Sequence, residues 1–191
     1  MKTGLYFGSF NPIHIGHLAI ANFMIEFTEL EQLWFVVSPQ NPLKQKRSLL
    51  KDYHRLEMVR LAVEDDDRFR ASDIEFKLPT PSYTIDTLAY LEEKNPGREF
   101  CLVMGADSLG SFHKWKHADL IVKNYHRLIY PRPDVSMDES SDLPNATMVN
   151  APLMEISSSF IRKAIRDGKD VRHLVPAKAY QYMREMHFYE K

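Results

Sequence analysis

Short runs of β-branched, aromatic and aliphatic residues alternate along this chain with longer segments of helical periodicity, and this alternation constrains the fold most. The strand-like runs are residues 3–7, 33–38, 69–74, 100–104 and 126–130, with a weaker run at 147–149. Strands that alternate with helices of ten or more residues are typical of βαβ units in a parallel sheet. Because these runs are apolar throughout, helices are expected on both faces of the sheet. The sequence predicts an α/β fold with an open, doubly wound, Rossmann-like parallel sheet.

Five helices are predicted around these strands from apolar residues at helical spacing and from capping signals. They are residues 16–28, residues 52–65, a helix capped by Thr84, a helix from the serines at 157–159 to a C′ residue at Gly168, and a helix that begins at Pro176. A chain of 191 residues is long enough to bury one substantial core. Residues 1–191 are therefore predicted to form a single domain, in which the helices of residues 157–191 form a small cap.

Charge and composition exclude several classes of protein. The 25 lysines and arginines are balanced by 26 acidic residues, so neither a general nucleic-acid binder nor an anionic-membrane binder is expected. The longest apolar runs, residues 33–37 and 100–104, are far shorter than the roughly 20 residues that span a bilayer. Only residues 5–7 are apolar before Gly8, which is too little for a signal peptide. A single cysteine, Cys101, fits a reducing compartment, so the protein is expected in the cytoplasm.

The segment after the first predicted strand, residues 8–17, reads Gly-Ser-Phe-Asn-Pro-Ile-His-Ile-Gly-His. Open α/β sheets bind ligands at the carboxyl ends of their strands, so this segment is the first place where a site is expected. The N–H groups of the following helix start favour an anion, and His14 and His17 are spaced so that both imidazoles can face it. Two such donors can stabilise the charge that develops in phosphoryl transfer. The segment therefore predicts phosphate chemistry.

Other interpretations of the same segment are weaker. Each histidine taken alone would more often be a surface or core residue than a catalyst. A zinc pair on a helix usually has its histidines four positions apart, and no nearby cysteine or carboxylate completes a ligand set. A Walker-type phosphate loop is absent, because no Gly-Lys-Ser or Gly-Lys-Thr follows the strand.

Residues 8–17 closely resemble the GxFxPxHxGH motif of the nucleotidylyltransferase superfamily, whose HxGH element also occurs in class I aminoacyl-tRNA synthetases. The chain is far too short for a synthetase. Within the superfamily it resembles the bacterial nicotinate-nucleotide adenylyltransferases, from Thr3 to about His173. The matching stretches, in order, are residues 41–44, 53–58, 81–88, 104–109, 112–115 and 156–162. Each stretch is weak alone, but six in the same order make the resemblance specific.

The resemblance implies an ATP site with His14 and His17 as catalytic residues. Its implied residues are Gly8, Ser9, Phe10, His14, His17, Lys44, Arg132, Ser158 and Arg162. Ser158 and Arg162 are implied to hold the β- and γ-phosphates. Serines and an arginine at a helix start favour an anion on their own chemistry, and an Arg162 that simply points into solvent is the alternative. Mg²⁺ is expected to ride on ATP, since no cluster of carboxylates suggests a metal site built by the protein.

A site for the acceptor, nicotinate mononucleotide, is expected around Tyr83 and Thr84. A helix start capped by Thr84 suits a small carboxylate, because backbone amides and the helix dipole act together. Trp115 offers a flat face to a pyridine ring, as Tyr83 can. The resemblance implies that Trp115 stacks on that ring and that Asp107 contacts ribose or the nucleotide edge. Asp107 as the cap of a short helix, and Trp115 as a core aromatic, are the structural alternatives.

The expected activity is the transfer of AMP from ATP to nicotinate mononucleotide, which gives deamido-NAD and pyrophosphate in NAD biosynthesis. Two alternatives share the fold: phosphopantetheine adenylyltransferase, and a cytidylyltransferase that acts on glycerophosphate or choline phosphate. A third is a nucleotide sensor that has kept the pocket without catalysis. Direct in-line attack needs positioning and charge neutralisation, so no covalent residue is assigned.

Overall fold

The computed structural model describes residues 1–39, 49–133, 135 and 144–190. Six parallel strands form one sheet in the order β3-β2-β1-β4-β5-β6. They are β1 (Lys2–Gly8), β2 (Gln32–Val37), β3 (Phe69–Ser72), β4 (Glu99–Gly105), β5 (His126–Tyr130) and β6 (Ala146–Met148). The direction in which the sheet grows reverses between β1 and β4, which is the arrangement of a doubly wound fold. The predicted α/β class and parallel sheet are confirmed.

Helices cover both faces of the sheet. They are α1 (Ile15–Phe27), α2 (Asp52–Val63), α3 (Thr84–Lys94), α4 (Leu109–Phe112), α5 (Ala118–Asn124), α6 (Ser158–Arg166) and α7 (Ala177–Glu185). Buried residues of α1, α2, α6 and α7 share one apolar cluster with the sheet, and those of α3, α4 and α5 share the other. The strands divide accordingly, because neighbouring residues of a strand face opposite ways: Tyr6 belongs to the first cluster and Leu5 to the second. The continuous apolar runs of the sequence are thus buried from both sides.

The carboxy-terminal helices pack directly on the sheet domain. Ile161 and Ile165 of α6 and Ala179 and Met183 of α7 are buried in the same cluster as β1 and β2. Beyond α6 the chain turns at Gly168, whose φ of +70° suits the predicted C′ position. These helices therefore complete the core on one face of the sheet.

Only β5 has its predicted bounds; β1, β2, β4 and β6 each differ by one residue at both ends, and β3 differs more. β3 pairs with β2 only as far as Ser72 opposite Val36, and the predicted continuation to Ile74 is wrong. β2 extends only one residue beyond Val36, so a strand that continued to Ile74 would run past the end of its partner, and the chain instead forms a 3-10 turn at Ile74–Lys77. β6 begins and ends one residue earlier than predicted.

The observed helix starts also differ from the predicted ones. Thr84 does not cap α3: it is the first helical residue, and Tyr83 occupies the cap position without a side-chain bond. Thr84 is already in helical conformation, so it cannot play the capping role that the sequence suggests. The short helices α4 and α5 have four and seven residues, too few for the periodic pattern that predicts longer ones. Among the described residues, none of the helices is long and apolar enough to cross a membrane.

Candidate active site

A cavity of about 730 Å³ lies at the carboxyl end of the sheet, lined by residues from the ends of β1 and β4. This is the topological switch point, where open α/β sheets bind ligands, and the volume suits a small-molecule site. The cavity is lined by all the predicted site residues that the structure describes: Gly8, Ser9, Phe10, His14, His17, Tyr83, Thr84, Asp107, Trp115, Arg132, Ser158 and Arg162. Lys44 lies outside the described residues.

The loop after β1 owes its shape to a close contact between Gly8 and Phe10. A Cβ atom at Gly8 would lie 2.8 Å from the Phe10 ring, so only glycine fits there without a shift. Phe10 itself has a φ of +44°, in the left-handed region that a bulky side chain rarely adopts. Its buried ring packs edge-on against Tyr6 and Phe35, with centroids 5.8 and 5.5 Å away. This aromatic packing holds the strained backbone and directs the chain into the cavity.

The two predicted catalytic histidines stack on each other at the start of α1. His14 is the cap residue, and its ring lies 3.7 Å from that of His17 with 25° between their planes. The His14 N–H donates to Nδ1 of His17 at 3.2 Å, which leaves Nε2 to carry the proton of a neutral His17 ring. Two backbone amides at this helix start already have partners, because Ile15 donates to the Leu174 carbonyl and His17 to the His14 carbonyl. The imidazoles, more than these amides, are therefore the groups that the helix start offers to a ligand.

Both histidines are neutral near pH 7. Burial, helped by the positive charge of Arg132, lowers the pKa of His14 to about 4. Burial, together with His14 and Arg132, lowers the pKa of His17 well below its ordinary value. A neutral imidazole is still a hydrogen-bond donor, and a bound phosphate would raise both pKa values again through its negative charge. The site can therefore meet an anion with two donors that carry no charge in the ligand-free protein.

The start of α6 is tied to the loop after β1. The Ser158 hydroxyl donates to the Pro12 carbonyl at 2.8 Å, and Nη1 of Arg162 donates to the Asn11 carbonyl, also at 2.8 Å. Ser157 caps the helix by accepting the Phe160 N–H at 3.2 Å, as the serine run predicts. Arg162 is thus not a free solvent-facing side chain, and it lines the same cavity as the histidines.

Two buried nitrogens of the cavity wall have no hydrogen-bond partner within the described part of the chain. They are Nδ1 of His14 and Nε of Arg162. A buried polar atom without a partner lowers the stability of the folded state by about 1–3 kcal/mol, so such atoms are rare in native proteins. Both side chains line the cavity, so a polar ligand bound between α1 and α6 would lie beside them.

The opposite wall is built from the start of α3 and the segment after β4. Tyr83 and Thr84 line it, and Lys116 stands over the Tyr83 ring at 4.8 Å while it pairs with Asp86 at 2.9 Å. Trp115 is half-buried and packs on Phe112 with ring centroids 5.1 Å apart, so one part of the indole remains accessible to the cavity. This wall offers flat apolar surface beside a helix start.

Asp107 and Arg132 form an ion pair at the mouth of the cavity. Their closest atoms, Oδ1 of Asp107 and Nε of Arg132, are 3.3 Å apart, and the Asp107 side chain is 53% exposed. An exposed pair of this kind contributes little to stability and can open to meet a ligand. The pair joins the ends of β4 and β5, so a nucleotide between these strands would lie against both charges.

Sequence reasoning missed a buried carboxylate, Glu75, in the same cavity wall. Glu75 is only 3% exposed and accepts the Thr87 hydroxyl at 3.1 Å. Burial raises its pKa, whereas hydrogen bonds from Ser38, Thr87 and Ser82 act in the opposite sense. The signal in the sequence was slight: one acidic residue between two apolar ones, just beyond the predicted strand 69–74, in a segment that forms a 3-10 turn.

Arg55 is a second residue whose part in the site does not follow from the sequence pattern. Its guanidinium is fully buried and donates to the carbonyls of Ser9, Ser38 and Pro39 at 2.6, 2.8 and 3.3 Å. It also pairs with Asp52 at 2.6 Å. Arg55 therefore joins the loop after β1 to the exit of β2. The resemblance includes it in the stretch 53–58, which is the only sign that singled it out.

A tyrosine pair closes the floor of the cavity. The hydroxyls of Tyr6 and Tyr130 are 3.1 Å apart, and burial raises the pKa of both phenols, so both are neutral. The His17 ring packs edge-on to Tyr6 and to Phe10 at 6.0 and 5.1 Å. No group of three or more histidine, cysteine, aspartate or glutamate side chains gathers as a metal site within residues 1–39, 49–133, 135 and 144–190.

Comparisons with known proteins agree with this fold. A family model described as cytidylyltransferase-like matches residues 5–164. A protein of Flavobacterium johnsoniae, named "Probable nicotinate-nucleotide adenylyltransferase", is 50% identical over 193 residues, which cover 100% of both chains. One of the same name from Christiangramia forsetii is 50% identical over 191 residues, covering 99% of this chain and 98% of that one.

Solved structures include that of Plasmodium falciparum nicotinic acid mononucleotide adenylyltransferase complexed with NaAD. It superposes with a TM-score of 0.82 at 21% identity, covering 98% of this chain and 97% of that chain. At this identity the likeness shows the fold, whereas the family follows from the sequence relatives. The chain belongs to the cytidylyltransferase-like proteins and, among them, to the nicotinate-nucleotide adenylyltransferase family.

Proposed function

We propose that the protein transfers the adenylyl group of ATP to nicotinate mononucleotide, which yields deamido-NAD and pyrophosphate for NAD synthesis. A phosphate oxygen of nicotinate mononucleotide attacks the α-phosphorus of ATP. The bond from the α-phosphorus to the oxygen that bridges to the β-phosphorus breaks, and pyrophosphate leaves with the electron pair. The proposal rests above all on the convergence of His14, His17 and the start of α6 on one cavity, in a member of this family.

His14 and His17 are the proposed catalytic residues. Their stacked imidazoles donate hydrogen bonds to oxygens of the α- and β-phosphates and stabilise the charge that grows on them in the transition state. Because burial lowers the pKa values of both rings, they bind the triphosphate as neutral donors or take up a proton as it arrives. No side chain forms a covalent bond, since positioning and charge stabilisation are sufficient for this transfer.

The start of α6 binds the remaining phosphates of ATP. Ser158 and Arg162 hold the β- and γ-phosphates in this proposal, and Arg132 reaches the nucleotide from the end of β5. Lys44, which lies outside the described residues, shares that charge. ATP arrives as its Mg²⁺ complex, and the ion neutralises part of the triphosphate charge as a component of the substrate. Gly8, Ser9 and Phe10 shape the loop against which the nucleotide lies.

The acceptor binds along the opposite wall. The pyridine ring of nicotinate mononucleotide stacks on Trp115, its carboxylate meets the start of α3 at Tyr83 and Thr84, and Asp107 contacts ribose. A site that offers donors to a carboxylate rejects a neutral amide, because the donors would lose a charged partner. We therefore expect nicotinate mononucleotide to be preferred over nicotinamide mononucleotide.

The test measures pyrophosphate release by the purified protein with ATP, Mg²⁺ and nicotinate mononucleotide. Parallel reactions replace the acceptor with nicotinamide mononucleotide or phosphopantetheine, and ATP with CTP. We expect the fastest release with ATP and nicotinate mononucleotide. Faster release with phosphopantetheine or with CTP would establish one of the alternative transferases, and ATP binding without any turnover would establish a sensor.

The histidine roles are tested by His14→Ala and His17→Ala in the same assay. Loss of one such donor lowers kcat by about 10²- to 10³-fold in related oxyanion sites. His173→Ala is the matched control, since His173 is exposed and does not line the cavity. Activity of His17→Ala equal to that of the parent would refute the mechanism.

A cytoplasmic location is part of the proposal. Cys101 is free and buried, and a lone thiol suits a reducing compartment. Cell fractionation with an antibody to the chain checks this, and recovery in the membrane fraction after a high-salt wash would contradict it.

A further inference from the structure

The last residues of the chain reach back into the loop that carries the histidine motif. The Tyr189 hydroxyl donates to Oδ1 of Asn11 at 2.7 Å, a bond between residues 178 positions apart. The Tyr189 side chain is partly buried, and burial raises the pKa of its phenol while the charges of Arg162 and Arg55 lower it. The phenol is therefore a neutral donor at any pH at which the protein works.

The segment after α7 is folded so as to bring this hydroxyl inward. His187 and Tyr189 have φ values of +53° and +64°, a left-handed conformation that is costly for side chains of this size. The buried ring of Phe188 between them packs edge-on against His54 at 4.6 Å. Glu190 pairs with Arg184 at 2.6 Å, which closes the segment on α7. Because these contacts hold a strained backbone in place, several of them together fix the position of Tyr189.

Asn11 is the point at which several elements meet. Its Oδ1 also accepts the Leu50 N–H at 3.3 Å, and its carbonyl accepts Nη1 of Arg162 at 2.8 Å. Asn11 lies between Phe10, whose ring packs on His17 at 5.1 Å, and Pro12, whose carbonyl holds Ser158. A rotation of the Asn11 side chain or a shift of its backbone would therefore displace two parts of the proposed phosphate site. They are the loop that carries His17 and the start of α6 with Ser158 and Arg162.

We infer that Tyr189 is a positioning residue for adenylyl transfer, holding Asn11 and through it the loop and Arg162 that bind ATP. The inference rests on the proposed function and adds to it a role for the carboxy-terminal segment. Tyr189 touches no substrate: it does not line the cavity, whereas Asn11 does. Its effect is expected on the ATP side, because the Asn11 carbonyl accepts a hydrogen bond from Arg162.

The first experiment compares Tyr189→Phe with the parent. The substitution keeps the ring and removes one hydroxyl, so the packing of the tail is retained. A neutral hydrogen bond of this kind corresponds to a change of about 3- to 10-fold in an equilibrium or rate constant. We expect kcat/KM for ATP to fall by that factor, KM for nicotinate mononucleotide to stay within about twofold, and ATP affinity by calorimetry to weaken in parallel.

Tyr182→Phe is the matched control. It removes a hydroxyl that lies 2.8 Å from Nδ1 of His54, on α7 and outside the cavity lining. We expect it to lower Tm without changing kcat/KM for ATP. An equal loss of kcat/KM in both variants would mean general loosening of the carboxy-terminal segment and would overturn the inference, as would a Tyr189→Phe variant that matches the parent in kcat/KM and in ATP affinity.

A double-mutant cycle with Asn11→Ala tests whether the hydroxyl acts through Asn11. If it does, Tyr189→Phe has no further effect on kcat/KM or ATP affinity once Asn11→Ala is present, whereas independent effects would multiply. Multiplying effects would contradict the inference. A parent protein that binds ATP but releases no pyrophosphate would refute the proposed function alone, because the ATP affinities of the same four proteins still decide the role of Tyr189.

Discussion

At the scale of single residues, the site is built on imidazoles that are kept neutral by burial. His14 and His17 stack at 3.7 Å, a distance at which two positive rings would repel each other strongly. Burial and the nearby Arg132 charge both lower their pKa values, so the rings coexist without charge until an anion arrives. The same lowered pKa values that prepare the rings for a triphosphate must make the folded state sensitive to acid.

This sensitivity gives a prediction about the free energy of unfolding. The folded-state pKa of His14 is about 4, below the ordinary 6.5, so between these values the unfolded chain binds more protons than the folded chain. The free energy of unfolding is therefore highest above about pH 6.5 as far as this histidine is concerned. It falls as the pH falls towards 4, by up to about 1.4 kcal/mol per pH unit for each histidine.

Urea unfolding of the parent and of His14→Gln at pH 5 and pH 7 measures how steeply the free energy of unfolding changes with pH. We expect a shallower slope in His14→Gln; equal slopes in the parent and His14→Gln would contradict the assignment.

The chain has two tryptophans, which allows a fluorescence test of ring stacking. Trp115 lines the cavity, whereas Trp34 is 3% exposed in β2 and lies under Arg70. A pyridine ring stacked on Trp115 should quench its emission. We expect nicotinate mononucleotide to quench the parent and Trp34→Phe, but not Trp115→Phe. Stacking is worth about 0.5–1.5 kcal/mol, so Trp115→Ala should raise KM for this substrate by about 2- to 12-fold. Quenching that survives in Trp115→Phe would place the ring elsewhere.

At the scale of elements, the start of α6 links two parts of the chain that are far apart in sequence. Ser158 and Arg162 bind the carbonyls of Pro12 and Asn11, so the helix start and the histidine loop form one unit. Cations in the first turns of a helix oppose its dipole, and a bound phosphate reverses that effect. A phosphate bound at this helix start would therefore be favourable.

Removal of the guanidinium tests this unit. Arg162→Ala loses a charged donor both to the loop and to a phosphate, and hydrogen bonds of charged groups are worth about 1.5–3 kcal/mol. We expect kcat/KM for ATP to fall about 10- to 100-fold, with KM for nicotinate mononucleotide little changed. Arg166→Ala is the control, because Arg166 is exposed one turn further along the same helix and does not line the cavity. Similar losses in both variants would show a general charge effect instead of a specific contact.

At the scale of the whole molecule, the cavity gathers residues from β1, β4 and β5 and from the starts of α1, α3 and α6. A ligand that contacts so many elements binds the folded chain and has no equivalent site in the unfolded one. Its binding must therefore stabilise the whole fold by mass action. The net charge of −1 conceals this local concentration of Arg132, Arg162 and two helix starts.

Thermal unfolding measures the stabilisation directly. At a concentration 100 times its Kd, Mg²⁺–ATP should raise the free energy of unfolding by about 2.7 kcal/mol. In a chain of this size each kcal/mol corresponds to about 2–4 °C, so Tm should rise by about 5–11 °C. CTP at the same concentration should raise Tm much less. An equal or larger rise with CTP would favour a cytidylyltransferase.

Particular elements show how far sequence reasoning extends. The bounds of β5 and the turn at Gly168 can be predicted from local signals. An apolar run and a C′ glycine each involve only a few neighbouring residues. β3 cannot extend to the predicted Ile74 because its partner β2 ends at Val37, and no pattern within β3 carries that information. Glu75 and Arg55 escaped notice as site residues for the same reason: their partners lie on Thr87, Ser9 and other distant positions.

The alternation of strands and helices, the parallel sheet and the loop with His14 and His17 follow from the amino-acid sequence, because each depends on residues close together in the chain. Packing of the complete chain is needed to stack the two histidines and keep them neutral, to bring Arg162 to the Asn11 carbonyl and to bring Tyr189 to the same loop. These are contacts between residues up to 178 positions apart. Their energies depend on burial and distance, which arise only when the whole chain has packed.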